Sequence, residues 1–149
     1  MTNDTSPQVQ RLQRLLSYLE QDPGNDLLRQ DAIAVACDVG DGATARRLLD
    51  ERAARGALPA LPWGFLAART ALADGDFDTA LRQWGALAAD DGVGTEERML
   101  AASAAAQLRL RRGGPEAVIE ASRTLAPFID GAAAQAPLPD AAQAAWLRV

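Results

Sequence analysis

The chain offers few of the residue types that catalyse reactions. It contains no histidine and a single cysteine, Cys37. Histidine-dependent triads, histidine metal ligands and an intramolecular disulfide are therefore excluded. Cys37 is a candidate nucleophile, but there is no histidine to take its proton, and a lone cysteine in a helical segment is more typical of a small core residue. We therefore predict no catalytic residue and no enzymatic activity.

Acidic and glycine-rich stretches are equally poor candidates for ligand sites. The stretch DGDFD at Asp74–Asp78 is similar to the start of a calcium-binding loop, but Thr79 and Gly85 stand where that loop needs a glycine and a bidentate glutamate. Capping of a helix explains the same acids. The adjacent acids Asp90-Asp91 and Glu96-Glu97 point apart on a helix. A phosphate-binding loop follows a strand, and no strand is predicted before the glycines of GVG or RGGP. We predict no metal and no cofactor.

The charge distribution argues against nucleic acid and membrane as partners. All 15 basic residues are arginine, and the net charge is −5, whereas nucleic acids and anionic lipids attract clustered positive charge. Arg109, Arg111 and Arg112 end a predicted helix, where they either complement the helix dipole or form a rim that faces an anion. The longest uncharged apolar-rich run, Gly56–Ala68, carries two prolines and is too short to cross a bilayer. With no leader-like N-terminus, we expect a cytoplasmic protein, and the arginine and alanine usage is typical of a GC-rich bacterial genome.

The sequence predicts that helices position the functional side chains. The 149 residues include 33 alanines and only 5% aromatics, a composition that favours helices packed at short distances. Proline, glycine and capping residues divide the chain into eight predicted helices and no strand. The first begins after the Ser6 cap and the second spans Asp26–Val39. The others begin after Asp41, at Pro62, after Asp76, at Glu96 after a Thr95 cap, after Pro115 and near Asp140.

Helical periodicity assigns the inward and outward faces of these helices. We expect the following side chains to point inward: Val9, Leu12, Leu15, Leu16 and Leu19; Ala45, Leu48, Leu49 and Ala53; Phe77, Ala80, Leu81, Trp84 and Leu87; Ala117, Val118, Ala121, Leu125 and Phe128. The outer face of the third helix is expected to carry the pairs Arg46–Asp50, Arg47–Glu51 and Glu51–Arg55, each four residues apart.

One pattern occurs twice. GDGATARRLL begins at Gly40 and GDFDTALRQW begins 35 residues later, at Gly75. Ala45 and Ala80 occupy equivalent places, and Ala117 is aligned with them in a third, weaker copy in which Arg112-Gly113 replaces Gly-Asp. A helix–turn–helix unit of this period, with Gly-Asp in the turn and alanine where the helices cross, resembles the tetratricopeptide repeat.

That resemblance implies an all-α fold, an α-α superhelix (solenoid) of stacked antiparallel helix pairs. Residues 7–25 are similar to the end of a repeat, 26–59 and 61–94 to full repeats, 96–129 to a degenerate repeat, and 140–149 to the start of a further repeat or a cap. Because no polar capping helix is evident, we expect the chain to be the N-terminal part of a longer array. The alternative is that residues 140–149 are themselves a short cap.

The resemblance also implies a protein-binding scaffold whose first helices line a groove for a peptide or helix of a partner. Carried over by position, the groove residues are Leu27, Gln30, Ala34, Phe65, Arg69, Leu72, Met99, Ala102 and Arg109. There is no lysine for a carboxylate clamp, so an apolar groove with two arginines would suit an amphipathic or acidic segment. The alternatives are self-association, as a homodimer through the C-terminal helix that carries Trp146, and reading of RNA by a helical repeat.

Overall fold

The computed structural model describes residues 5–132, with side chains described for residues 5–129. Within that range the chain is all-α: seven helices and no strand. The helices are α1 (Pro7–Gln21), α2 (Asp26–Asp38), α3 (Gly42–Ala53), α4 (Trp63–Ala73), α5 (Phe77–Ala89), α6 (Thr95–Arg112) and α7 (Ala117–Ala132). The predicted eighth helix, with Trp146, lies outside the described residues. The described residues divide into two compact units, one that ends at Ala80 and one that begins at Leu81, and α5 contains residues of both.

Most of the predicted helix starts are confirmed. The Ser6 hydroxyl accepts a hydrogen bond from the Val9 amide (3.3 Å) and the Asn25 side chain accepts one from the Leu28 amide (3.0 Å), so each satisfies a donor that the first turn leaves open. The Thr95 cap is wrong, because Thr95 is already helical and Gly94 precedes it without a side-chain cap.

The two Gly-Asp turns have the same geometry. Gly40 and Gly75 have φ of 77° and 75°, a left-handed conformation that only glycine adopts without strain. The amides of Asp41 and Asp76 donate to the carbonyls five residues earlier, at 2.8 and 2.9 Å. Each aspartate then accepts from the amide and the hydroxyl of the threonine three residues later. The repeated sequence therefore encodes a repeated structure.

The first unit is held by close packing around small residues. α2 packs against α1, α3 and α4, and α3 also packs against α4. Its core consists of Leu12, Leu19, Ala32, Ile33, Val35, Ala36, Ala45, Leu48, Trp63 and Leu66. Ala45 and Ala80, the repeated alanines, are both fully buried, as expected where larger side chains would force helices apart.

Glycine at the first position of α3 lets the chain approach the end of α4. A Cβ atom added to Gly42 would lie 2.4 Å from the Asp74 Oδ1 atom and 2.9 Å from backbone atoms of Ala73 and Asp74. Arg46, one turn further along α3, donates from Nε to Asp74 Oδ2 at 2.5 Å. The second glycine of GDGATARRLL thus has a packing role, which sequence analysis had not assigned to it.

The surface pairs of α3 differ from the prediction. Arg47 and Glu51 form their expected pair at 3.0 Å. Arg46 instead reaches Asp74, and Arg55 reaches Asp26 and the carbonyl of Pro23. Both arginines therefore pair with residues of other elements and not with the acid four residues away on α3.

The second unit is built on α6 and α7. These helices pack together around Ala102, Ala106, Ala121 and Leu125. Ala121 is fully buried, whereas Ala117 is only half-buried. The turn before α7 contains two glycines in left-handed conformations, Gly113 and Gly114. The buried alanine therefore comes later after the turn than in the first two copies, and the predicted alignment of Ala117 with Ala45 and Ala80 is wrong.

Several inward assignments near helix ends are also wrong. Ala53, Phe77 and Val118 are exposed, Phe77 by 40% and Val118 by 48%. Each lies in the first or last turn of its helix. The central positions are correct: Trp84 and Leu87 on α5 and Leu125 on α7 are buried.

Candidate functional site

The predicted groove in the first unit corresponds to a face formed by α2 and α4. Arg69 on α4 lies close to α2: its Nη2 atom is 2.6 Å from Asp38 Oδ1 and 3.5 Å from the carbonyl oxygen of Ala34. Leu27, Ala34 and Asp38 are seven and four residues apart on α2, so they follow one stripe of that helix. The structure therefore places the α2 and α4 parts of the prediction side by side.

This α2–α4 face (Leu27, Gln30, Ala34, Asp38, Phe65, Arg69 and Leu72) is apolar with one neutralised ion pair. Leu27 is 74% exposed, the largest exposed fraction among the large apolar side chains of the described residues. Phe65 and Leu72 are half-buried. The Asp38 carboxylate balances the Arg69 guanidinium, so Arg69 does not act as the unpaired cation that an acidic segment would require.

The predicted groove residues of the second unit do not form an equivalent face. Ala102 is fully buried in the packing of α6 against α7, so its assignment as a groove residue is wrong. Met99 is half-buried. The Arg109 Nη1 atom donates to Glu120 Oε2 at 2.8 Å, which ties α6 to α7. A cavity of about 420 Å³ lies beside this pair, lined by Leu81, Arg109, Arg112, Gly113, Gly114, Pro115, Glu116, Ala117 and Glu120, so two acids accompany the arginines there.

Sequence reasoning missed a buried arginine in the first unit. Arg29 on α2 is 3% exposed. Its Nη1 atom donates to the Leu48 carbonyl (3.1 Å) and to Glu51 Oε2 (2.9 Å), and its Nη2 atom donates to the Pro23 carbonyl (3.1 Å). Its Nε atom is buried without a partner. In the sequence Arg29 follows Asp26 at the i,i+3 spacing of an ordinary surface pair, so periodicity gives no signal for a buried role.

Glu51 connects two guanidinium groups. Its Oε2 atom accepts from Arg29 and its Oε1 atom accepts from Arg47 at 3.0 Å. The hydrogen bond from Arg29 is the main reason that the pKa of the Glu51 carboxyl lies below its ordinary value. Burial opposes this effect in part, and the hydrogen bond from Arg47 adds to it. Glu51 therefore stays ionised at neutral pH.

A cavity of about 260 Å³ lies against this cluster. We call it the Arg29 cavity; it is lined by Leu16, Leu19, Glu20, Pro23, Arg29, Arg47, Leu48 and Glu51. All of these residues belong to α1, α2, α3 and the turn between α1 and α2, within the first unit. Its walls combine leucine side chains with two acids and two arginines.

Cys37 has the surroundings of a core residue. Its Sγ atom lies 3.8 Å from the Thr70 hydroxyl on α4. Burial raises the pKa of the Cys37 thiol, and the hydrogen bond with Thr70 opposes this effect only in part. A raised pKa keeps the thiol protonated and unreactive at neutral pH.

Comparisons with known protein families, with curated proteins and with solved structures gave no match. Among residues 5–132, no group of histidine, cysteine and acidic side chains is arranged to hold a metal ion. None of the described helices is long and apolar enough to span a bilayer.

Proposed function

We propose that the chain is a protein-binding scaffold built from stacked helix pairs, similar to tetratricopeptide repeats. The observation that carries this proposal is the duplicated turn: Gly40-Asp41 and Gly75-Asp76 repeat the same hydrogen bonds 35 residues apart. A unit that recurs with one geometry stacks on its own copy, and stacked helix pairs present the first helix of each pair on a common face.

The α2–α4 face is the proposed binding surface. α2 and α4 are the first helices of the two matching pairs, and they contact each other through Asp38 and Arg69. Leu27 exposes most of an apolar side chain there, with Phe65 and Leu72 half-buried on α4. Such a surface suits the apolar side of an amphipathic helix. An acidic segment is less suited, since Asp38 already neutralises Arg69.

Site-specific photo-crosslinking tests the surface. A photoreactive residue at position 27 on the α2–α4 face is compared with one at position 119, because Ile119 on α7 is also an exposed apolar residue (54%). We expect position 27, and not position 119, to give a discrete adduct with one other protein in cells. Leu27→Glu should remove the same partner from affinity capture, while Ile119→Glu should retain it.

The alternatives give different adducts. A crosslink from position 27 to a second copy of this chain would replace the scaffold role with self-association. Equal labelling from positions 27 and 119, or adducts with RNA, would contradict the proposed surface. Because Leu27 is so exposed, Leu27→Glu should keep the helical circular dichroism of the wild type, and a lost interaction would not reflect unfolding.

A further inference from the structure

The Arg29 cavity has features that a binding scaffold does not need. Its lining residues lie on α1, α3, the start of α2 and the turn between α1 and α2, and none of them belongs to the α2–α4 face. Its volume of about 260 Å³ exceeds that of several waters at about 30 Å³ each. The space is suited to a molecule of the size of an amino acid.

Two arginines share one carboxylate at this cavity. Arg29 and Arg47 both donate to Glu51, while the other acid of the lining, Glu20, is exposed and bonds to neither arginine. Arg29 is nearly fully buried and its Nε atom has no partner, and a buried charge is unfavourable unless it is fully paired. The two guanidinium groups therefore have donors left for a second anion beside Glu51.

A ligand has a clear route to this charge. The Arg47 side chain is 56% exposed and uses only Nη1 in its bond to Glu51, so its remaining donors are available for a carboxylate, the partner that best matches the planar guanidinium. Leu16, Leu19 and Leu48 supply an apolar wall. Glu20 is exposed and forms no ion pair among the described residues, and it would accommodate an ammonium group.

We propose that the Arg29 cavity binds a small carboxylate with a branched apolar body, in the size class of leucine. Arg47 binds the carboxylate directly, and Arg29 holds fixed positive charge behind Glu51. The leucine side chains contact the apolar body. This inference is independent of the proposed scaffold function, because the two sites share no residue and each is tested with its own variants.

Calorimetric titration of the full chain tests the proposal with three probes of similar shape: 4-methylpentanoate, leucine and 3-methylbutylamine. The first carries only a carboxylate, the second both charged groups, and the third only an ammonium. We expect one or both carboxylates to bind with a Kd of about 10 mM or tighter, and the amine not to bind. Stronger binding of leucine than of 4-methylpentanoate would assign the ammonium to Glu20.

A matched pair of arginine variants locates the site. Arg47→Gln removes the guanidinium that is proposed to bind the carboxylate and should weaken carboxylate binding by about tenfold or more. Arg46→Gln removes a neighbouring arginine that pairs with Asp74 outside the cavity, and it should leave the Kd unchanged. Both arginines are about half exposed, so both variants should fold.

The proposal is overturned if neither carboxylate binds at about 10 mM, if the amine binds as well as the acids, or if the two variants lose affinity equally. In the first case the cavity holds only water. In the last case the binding reflects the overall charge of α3 and not a site at Arg47.

Discussion

Replacing Gly42 with alanine tests whether the start of α3 must lie close to the end of α4. The added Cβ would lie 2.4 Å from Asp74 Oδ1 and 2.9 Å from two backbone atoms of Ala73 and Asp74. The carboxylate is held by Arg46, and the backbone atoms belong to the end of α4. Neither neighbour is free to move by the several tenths of an ångström that the methyl group needs, so α3 and α4 must separate.

The magnitude follows from two opposed terms. Alanine in a helix is ordinarily favoured over glycine by about 0.5–1 kcal/mol. Overpacking in a tight contact costs about 1–3 kcal/mol, and the upper part of that range applies here because two of the three contacts are with backbone. The net expectation is a loss of about 1–2 kcal/mol in the free energy of unfolding, or a fall in Tm of about 5–10 °C for a unit of this size.

Thermal and urea unfolding followed by circular dichroism measure this change. Gly85→Ala is the matched control: Gly85 lies within α5, and a Cβ there would meet nothing within 4 Å. It should raise stability by up to about 1 kcal/mol. If Gly42→Ala were as stable as the wild type, or more stable, the close approach of α3 to α4 would not be as described and the packing argument would be refuted.

The remaining predictions concern Arg29, Glu51 and Trp84. Arg29→Met should lower the free energy of unfolding by about 2–3 kcal/mol through lost charged hydrogen bonds, whereas Arg47→Gln should change it by less than about 1 kcal/mol; equal losses in urea denaturation would contradict the buried role. Glu51 has a lowered pKa in the folded state, so its contribution is present above the unfolded pKa of about 4.3 and is lost as the pH falls through the folded value. The stability gap between wild type and Glu51→Gln should therefore narrow in urea titrations below about pH 4, and a constant gap would show that the pKa is not lowered. Trp84→Ala should cost about 3–5 kcal/mol and Ile119→Ala, at an exposed site, less than about 1 kcal/mol; a small loss for Trp84 in thermal unfolding would place its side chain outside the core.

Short-range sequence signals allowed the helices to be predicted. Ser6, Asn25 and Asp41 cap helices because their side chains accept bonds from amides only a few residues away, and such short-range chemistry is visible in a sequence. The same holds for the Gly40 and Gly75 turns, where a left-handed φ requires glycine. The position of the buried alanine on α7 is the exception. The turn that contains Gly113 and Gly114 is longer than the two Gly-Asp turns, and the sequence pattern does not indicate its length.

Contacts between residues far apart in the chain could not be predicted from the sequence. Arg46 pairs with Asp74, 28 residues away, and not with Asp50 on its own helix. Arg69 pairs with Asp38, 31 residues away. A surface arginine has many possible partners, and an exposed ion pair with any of them contributes less than about 1 kcal/mol to stability. Sequence alone therefore does not indicate which partner the arginine takes. The ion pairs of the two predicted groove arginines were not predicted for the same reason: Arg69 and Arg109 each pair with an acid of an adjacent helix.

Sequence by itself determined the all-helical architecture, the sites where helices begin and end, and the duplicated Gly-Asp turn, because these depend on backbone conformation and on bonds within a few residues. Tertiary structure decided which charges are buried and which remain exposed. Arg29 became a core residue only when Pro23, Leu48 and Glu51 were brought around it by the packing of α2 against α1 and α3. The cavity beside it exists for the same reason, since a space between helices is a property of their packing and of no single stretch of sequence.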